Sequence, residues 1–246
     1  MKVSGERPLA GLHAVEEALR AGTPLRYIAA SRERHDARLA QLLAAARAAG
    51  VPVRLEPAAA LDRLAQGERH QGVVALAAAK ATLALEDLLA DAPQKLLLAC
   101  DGIEDPHNLG AILRTACGAG VDGVLLPERR SAGLTAAVER VSAGALEHVR
   151  VAQVTNLARA LEACKAAGYW VVGLEGEAAV SLWQHDFRPP TVLVVGAEER
   201  GLHSLTRKLC DARLRIPLAA GVASLNASVA AGIALFEIVR QRSLGA

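Results

Sequence analysis

The chain has 246 residues, 52% of them hydrophobic and 22% charged, which reads as globular and not disordered and allows one large domain or a small domain beside a medium one. A formal charge of +2 is too small to name a polyanionic partner by itself. Four scattered cysteines (Cys100, Cys117, Cys164, Cys210) contain no C-x-x-C pair, which argues against a zinc or disulfide framework and for reduced core thiols in a cytoplasmic protein. The first ten residues are charged and lack an apolar central run, so no signal peptide is expected. Residues 216–239 are apolar, but Pro217, Ser224, Asn226, Ser228 and Glu237 interrupt them, so a buried interface helix is expected and not a membrane span.

Residues 11–21 form an amphipathic helix, with Leu12, Val15 and Leu19 near helical spacing and Gly22 at its end. Strands are predicted at 26–30, 51–55 and 72–77, with helices around 39–49 and from Pro57, read as a first-turn residue. Alternation of this kind implies a mixed or parallel sheet. Residues 79–93 read as a linker with a short helix near 83–90, dividing a domain at 1–78 from one at 94–246. The second unit begins with a strand at 95–100. Further strands are predicted at 123–126, 148–152, 169–174, 191–195 and 213–216, and helices at 110–118, 134–140, 156–167, 202–210 and 228–241. Charge follows the same division: residues 1–78 carry a balance of +3, nearly all of its cations arginines that grip phosphate bidentately, and the remainder carries −1.

Three segments, 105–116, 195–202 and 216–228, place glycines and hydrogen-bonding side chains where a strand hands over to a helix, which is where open α/β sheets bind ligands. In the first, Asn108 stands before a helix beginning near Leu109 or Gly110, placed to cap it. Arg114 falls among Ile112, Leu113, Ala116 and Cys117, so it reads either as a surface arginine on a capped helix or, since a charge in such company is costly, as one with a partner or a task. In the second, Gly196 and Gly201 frame Glu198, whose carboxylate also suits a helix N-terminus. In the third, Ser224, Asn226 and Ser228 alternate with Leu225 and Ala227 ahead of a very apolar helix, and their polar groups need partners. Gly118, Gly120 and Gly123 match the dinucleotide pattern G-x-G-x-x-G, but they end a helix and lead into a strand, the reverse of what that fingerprint requires.

In order, the three segments resemble the signature motifs of the SPOUT superfamily in its SpoU/TrmH-like branch. Residues 129–131 and 141–145 resemble family segments between the first two motifs, and residues 11–19 and 70–75 resemble the branch's small substrate-binding domain. The resemblance implies an α/β fold: a C-terminal parallel-sheet domain tied in a deep trefoil knot, plus a small N-terminal ribosomal-protein-like RNA-binding domain. It implies a homodimer that moves a methyl group from S-adenosylmethionine to a ribose 2′-hydroxyl of structured RNA, with no metal. The target it favours is a guanosine in 23S rRNA; a tRNA target, or a non-catalytic RNA-binding protein on this scaffold, are the alternatives. By position match the donor would meet Gly196, Ile216, Leu218 and Leu225. Arg114 would stabilise the developing alkoxide, Asn108 would orient the ribose or Arg114, and Glu198, Ser224 and Asn226 would shape the pocket. Leu218, Ala220-Gly221 and Glu199-Arg200 depart from the residues usual in close relatives, the last pair pointing to altered RNA contacts.

Overall fold

The computed structural model describes residues 6–219, 221–222 and 224–243; Ala220, one of the noted departures, lies outside them. In chain order the elements are β1 (Arg7–Ala10), α1 (Leu12–Arg20), β2 (Leu25–Ser31), α2 (Ala37–Ala48), β3 (Val53–Glu56), α3 (Ala58–Ala65) and β4 (Val73–Ala77). Next come α4 (Leu85–Ala90), β5 (Leu96–Asp101), α5 (Pro106–Gly118), β6 (Gly123–Pro127), α6 (Ala136–Ser142), α7 (Ala145–His148), β7 (Val151–Val154) and α8 (Leu157–Ala166). The last are β8 (Trp170–Leu174), β9 (Val180–Ser181), β10 (Thr191–Gly196), α9 (Ser204–Leu209), β11 (Ala212–Arg215) and α10 (Ala227–Ser243). Contacts divide the chain into two compact units. One runs to Ala81 and takes in Leu134–His148; the other holds Thr82–Gly133 and the chain from Val149 onward.

The first unit is a four-stranded mixed sheet in the order β1-β4-β2-β3, parallel only between β2 and β3. Helices α1 and α2 cover one face through Leu12, Val15, Leu39 and Leu42, and α3 covers the other through Leu61 and Ala65. Strand β1 went unforeseen, because Arg7 and Pro8 mask its alternation. Pro57 caps α3 from outside the helix and does not open its first turn.

Polar contacts help to tie α6 and α7 to this unit. Arg7 on β1 bridges the carboxylates of Glu139 and Glu147, Thr23 donates its hydroxyl to Glu147, and Lys80 donates to the Glu147 carbonyl at 2.8 Å. Both glutamates are buried, and one oxygen of Glu139 has no partner among the described residues. Burial pushes the Glu139 carboxyl up to about 7, with Glu147 adding to the rise and Arg7 opposing it. A carboxyl raised in the folded state favours folding in its protonated form. That contribution is complete below the ordinary glutamate value and is lost as pH climbs through about 7. Glu139→Gln, neutral at every pH, should therefore melt above the wild type at pH 8 but not at pH 5. An equal difference at both pH values would contradict this.

In the second unit seven strands lie parallel in the order β7-β6-β5-β10-β8-β11-β9. Its central strands, Leu96–Asp101 and Thr191–Gly196, are nearly unbroken apolar runs, as strands buried on both faces must be. Leu88 of α4 and Leu161 and Cys164 of α8 pack on Leu97, Ala99, Leu125, Val171 and Val192. Helix α10 packs on α5, Gly232 lying close to Thr115. From β5 the chain adds β6 and β7 on one side, whereas β10 and β8 lie on the other, so the order reverses between β5 and β10. A crevice opens at the carboxyl ends of strands flanking such a reversal.

Candidate active site

All three segments reach that carboxyl edge. Asp105 caps α5, accepting from His107 N at 2.9 Å, and Pro106 opens the helix where its missing N–H costs nothing. The helix thus starts earlier than predicted, and Asn108 stands inside its first turn and does not cap it. Freed from capping, its Oδ1 accepts from Asn226 Nδ2 at 2.8 Å and its Nδ2 approaches Glu198 Oε2 at 3.5 Å. Asn226 Nδ2 also donates to Glu198 Oε2 at 3.1 Å. One side chain from each segment closes a triangle. Asn226 Oδ1 accepts from Ser228 N at 2.9 Å and Ser228 Oγ at 2.6 Å, so both amide hydrogens and the oxygen of Asn226 are engaged. Ser224 stays exposed, apart from this cluster.

Past Gly196 the chain folds back in a tight turn closed by Gly201 N donating to Ala197 O at 2.8 Å. A Cβ at Gly196 would overlap the Gly201 backbone and come within 2.6 Å of Leu202 N, and Gly201 itself takes the left-handed region at φ +61°. Glu198 sits exposed on this turn, well ahead of α9, whose cap is His203. The helix-end explanation of Glu198 is therefore wrong; its partners are the two asparagines.

Two cavities flank the turn. The first, about 530 Å³, is lined by Gly196, Ile216, Leu218, Ser224 and Leu225 among others, so all four residues expected to meet the donor face one space. The second, about 440 Å³, is lined by Gly102–Asp105, Asn108, Glu198 and His203. They share Ala197, Glu198 and Arg200. Arg114 lines neither. It is exposed on α5, so the argument from costly burial among apolar neighbours fails for it. Two residues went unnoticed in the sequence. Asp101, the last residue of β5, is buried and holds His203 twice, accepting from its backbone N and binding ring Nδ1, each at 2.8 Å. A lone acid ending an apolar strand was the available signal. Among the described residues no cluster of three His, Cys, Asp or Glu could hold a metal ion, and no helix is long and apolar enough to cross a membrane.

Comparison with known proteins turns this arrangement into a family. Residues 95–236 match the model of the SpoU rRNA methylase family, and residues 8–83 match that of the RNA 2′-O ribose methyltransferase substrate-binding domain. The chain belongs to the SpoU rRNA methylase family. It is 47% identical over 238 residues to the 23S rRNA (guanosine-2′-O-)-methyltransferase RlmB of Pseudomonas aeruginosa, covering 95% of this chain and 96% of that one. To the RlmB of Shewanella oneidensis it is 46% identical over 237 residues, covering 94% and 96%. The SpoU methyltransferase AviRb from Streptomyces viridochromogenes, solved in complex with AdoMet, superposes with a TM-score of 0.83 at 28% identity, covering 98% of this chain and 91% of that one. This SpoU methylase is thus an S-adenosylmethionine-dependent RNA 2′-O-ribose methyltransferase, with an N-terminal substrate-binding domain and a C-terminal parallel-sheet methyltransferase domain.

The first cavity fits such a donor. Its volume is that of a pocket for a drug-sized molecule. Leu174, Ile216, Leu218 and Leu225 offer an apolar slot for a flat ring, and the exposed Arg200 offers a charge for the carboxylate of an amino acid; Glu175 and Arg207, also in the lining, are paired with each other at 2.6 Å. The absent side chain at Gly196 lets backbone stand directly at the cavity wall.

Proposed function

We propose that this enzyme methylates the 2′-hydroxyl of a guanosine in 23S rRNA, as a homodimer. The observation that carries the reading is the Asn108–Glu198–Asn226 triangle at the wall between the two cavities. Gly196, Ile216, Leu218 and Leu225 hold the donor in the first cavity; the second receives the ribose. When bound, the donor supplies an electrophilic methyl carbon on a sulfonium centre. Asn108 and Glu198, locked by Asn226, fix the sugar so that its oxygen faces that carbon, which removes most of the entropic cost of alignment. Ser224 shapes the donor side of the wall. Arg114 supplies positive charge to the oxygen as its proton leaves. Because it lines neither cavity of its own chain, each site is completed across the dimer interface. The relatives named for 23S rRNA guanosine support the target.

Two further features belong to this reading. The C-terminal segment closes a deep trefoil knot; the position of β10 between β5 and β8 and the return of α10 onto α5 support it. Residues 1–78, with their balance of +3, select and hold RNA through arginine contacts to phosphate that weaken with salt. Val229 and Phe236 lie exposed seven residues apart on α10, on one face of the helix, which supports the dimer. Light scattering at micromolar protein should give twice the chain mass, and a monomeric mass would contradict it. The target is tested by labelling total RNA with methyl-labelled donor: label in 23S rRNA supports the reading, and label confined to tRNA replaces it.

A further inference from the structure

A ribose carries its 2′-hydroxyl on the carbon next to the one that bears the 3′-phosphodiester. Any cavity that receives this hydroxyl must also accommodate the negative charge of the adjoining phosphate. Most side chains of the second cavity oppose that. Glu104, Asp105, Glu198 and Glu199 line it, and four carboxylates repel a polyanion. Glu198 accepts from Asn108 and Asn226, and Asp105 accepts from the backbone of His107, but none of these donors is a cation. Among the described residues lining the cavity, Arg200 is the only lysine or arginine.

We infer that Arg200 grips the phosphodiester on the 3′ side of the target ribose and so positions the RNA for transfer. The inference rests on the proposed assignment of the second cavity to the ribose. Arg200 stands in the turn closed by Gly201 N donating to Ala197 O at 2.8 Å, directly before Gly201 at φ +61°. Its main chain is therefore fixed while its side chain stays exposed. A guanidinium on such a base has less freedom to lose on binding than one on an open loop. Glu198, held by the two asparagines, belongs to the same turn, so the phosphate grip and the triangle share one rigid support.

Arg200 also lines the first cavity, where the donor's carboxylate competes for it. The charges there decide between the two oxyanions. Arg215 lines that cavity as well, and it donates only to the carbonyls of Ala178 and Ala179, which leave its positive charge uncancelled. The donor thus has a second cation in its own cavity, and the phosphate has Arg200 alone. The planar fork of a guanidinium also matches two phosphate oxygens at once. Because the contact is the same before and during transfer, its loss should raise the KM for RNA and spare kcat.

The test compares full-length wild type, Arg200→Gln and Arg200→Lys for affinity to 23S rRNA over a series of potassium chloride concentrations. Donor affinity is measured by calorimetry on the same preparations. Arg200→Gln is expected to bind donor within about twofold of the wild type and RNA about tenfold more weakly at low salt. The slope of log affinity against log salt should fall by roughly one unit, the share of one phosphate. Arg200→Lys, which keeps the charge, should restore that slope, a recovery that a merely distorted turn would not show. An unchanged slope in Arg200→Gln would overturn the contact, and weaker donor binding with an unchanged slope would give Arg200 to the donor's carboxylate. A wild type that transfers no methyl group to any RNA would instead defeat the proposed function itself.

Discussion

Replacing Arg114 by alanine is expected to lower methyl transfer by on the order of a hundredfold or more, the usual loss when one group stabilising a developing oxyanion is removed. Donor affinity should stay within about twofold of the wild type, since the residue lines neither cavity. The fold should be indifferent as well. The Arg114 side chain is exposed on α5. Arg114→Lys should recover only part of the loss, because a point charge on a flexible stem does not reproduce a planar fork. Calorimetry and single-turnover rates measured on the same preparation decide the matter. Near-normal turnover by Arg114→Ala would remove the residue from the mechanism, and lost donor binding would make it part of the donor site.

Gly196→Ala should do the reverse. Its Cβ would meet backbone, which cannot swing aside as the end of a side chain can. Overpacking of this kind costs about 1–3 kcal/mol where neighbours can adjust, and the upper part of that range applies against main chain. The turn that carries Glu198 would be displaced together with the cavity wall. Donor affinity should fall at least about tenfold, equivalent to 1.4 kcal/mol, with a lower melting temperature. A Gly196→Ala protein that binds donor like the wild type would show that the close approach of Gly196 to Gly201 is not what shapes the cavity.

Much of the second unit was legible in the sequence because its strands are buried on both faces. Runs such as 96–100 and 191–195 have few other readings. The convergence of three segments was legible for the same reason, since each sits where an apolar strand gives way to glycine and polar side chains. What the one-dimensional pattern missed is set by contacts across the chain. Asp105, next to Pro106, outcompeted Asn108 for the cap of α5, and the Asp-Pro pair was the local sign of it. Of the two readings of Arg114 the surface one holds: its neighbours in sequence are apolar, yet on a helix they face the core while it faces outward. Residues 134–148 join the first unit through contacts such as those of Arg7 with Glu139 and Glu147, more than a hundred residues away in sequence. No local window reports such a pair. Asp101 and His203, also about a hundred residues apart, were hidden in the same way.

The central claim is that the three segments build one site acting on a ribose oxygen. The most direct measurement is mass spectrometry of nucleosides released from 23S rRNA after incubation with the purified protein and donor. The account predicts a guanosine whose extra methyl group stays with the sugar fragment, its early yield cut sharply when Asn108→Ala or Arg114→Ala replaces the wild type. A methyl group found on the base, or ribose methylation undiminished in both variants, would contradict it.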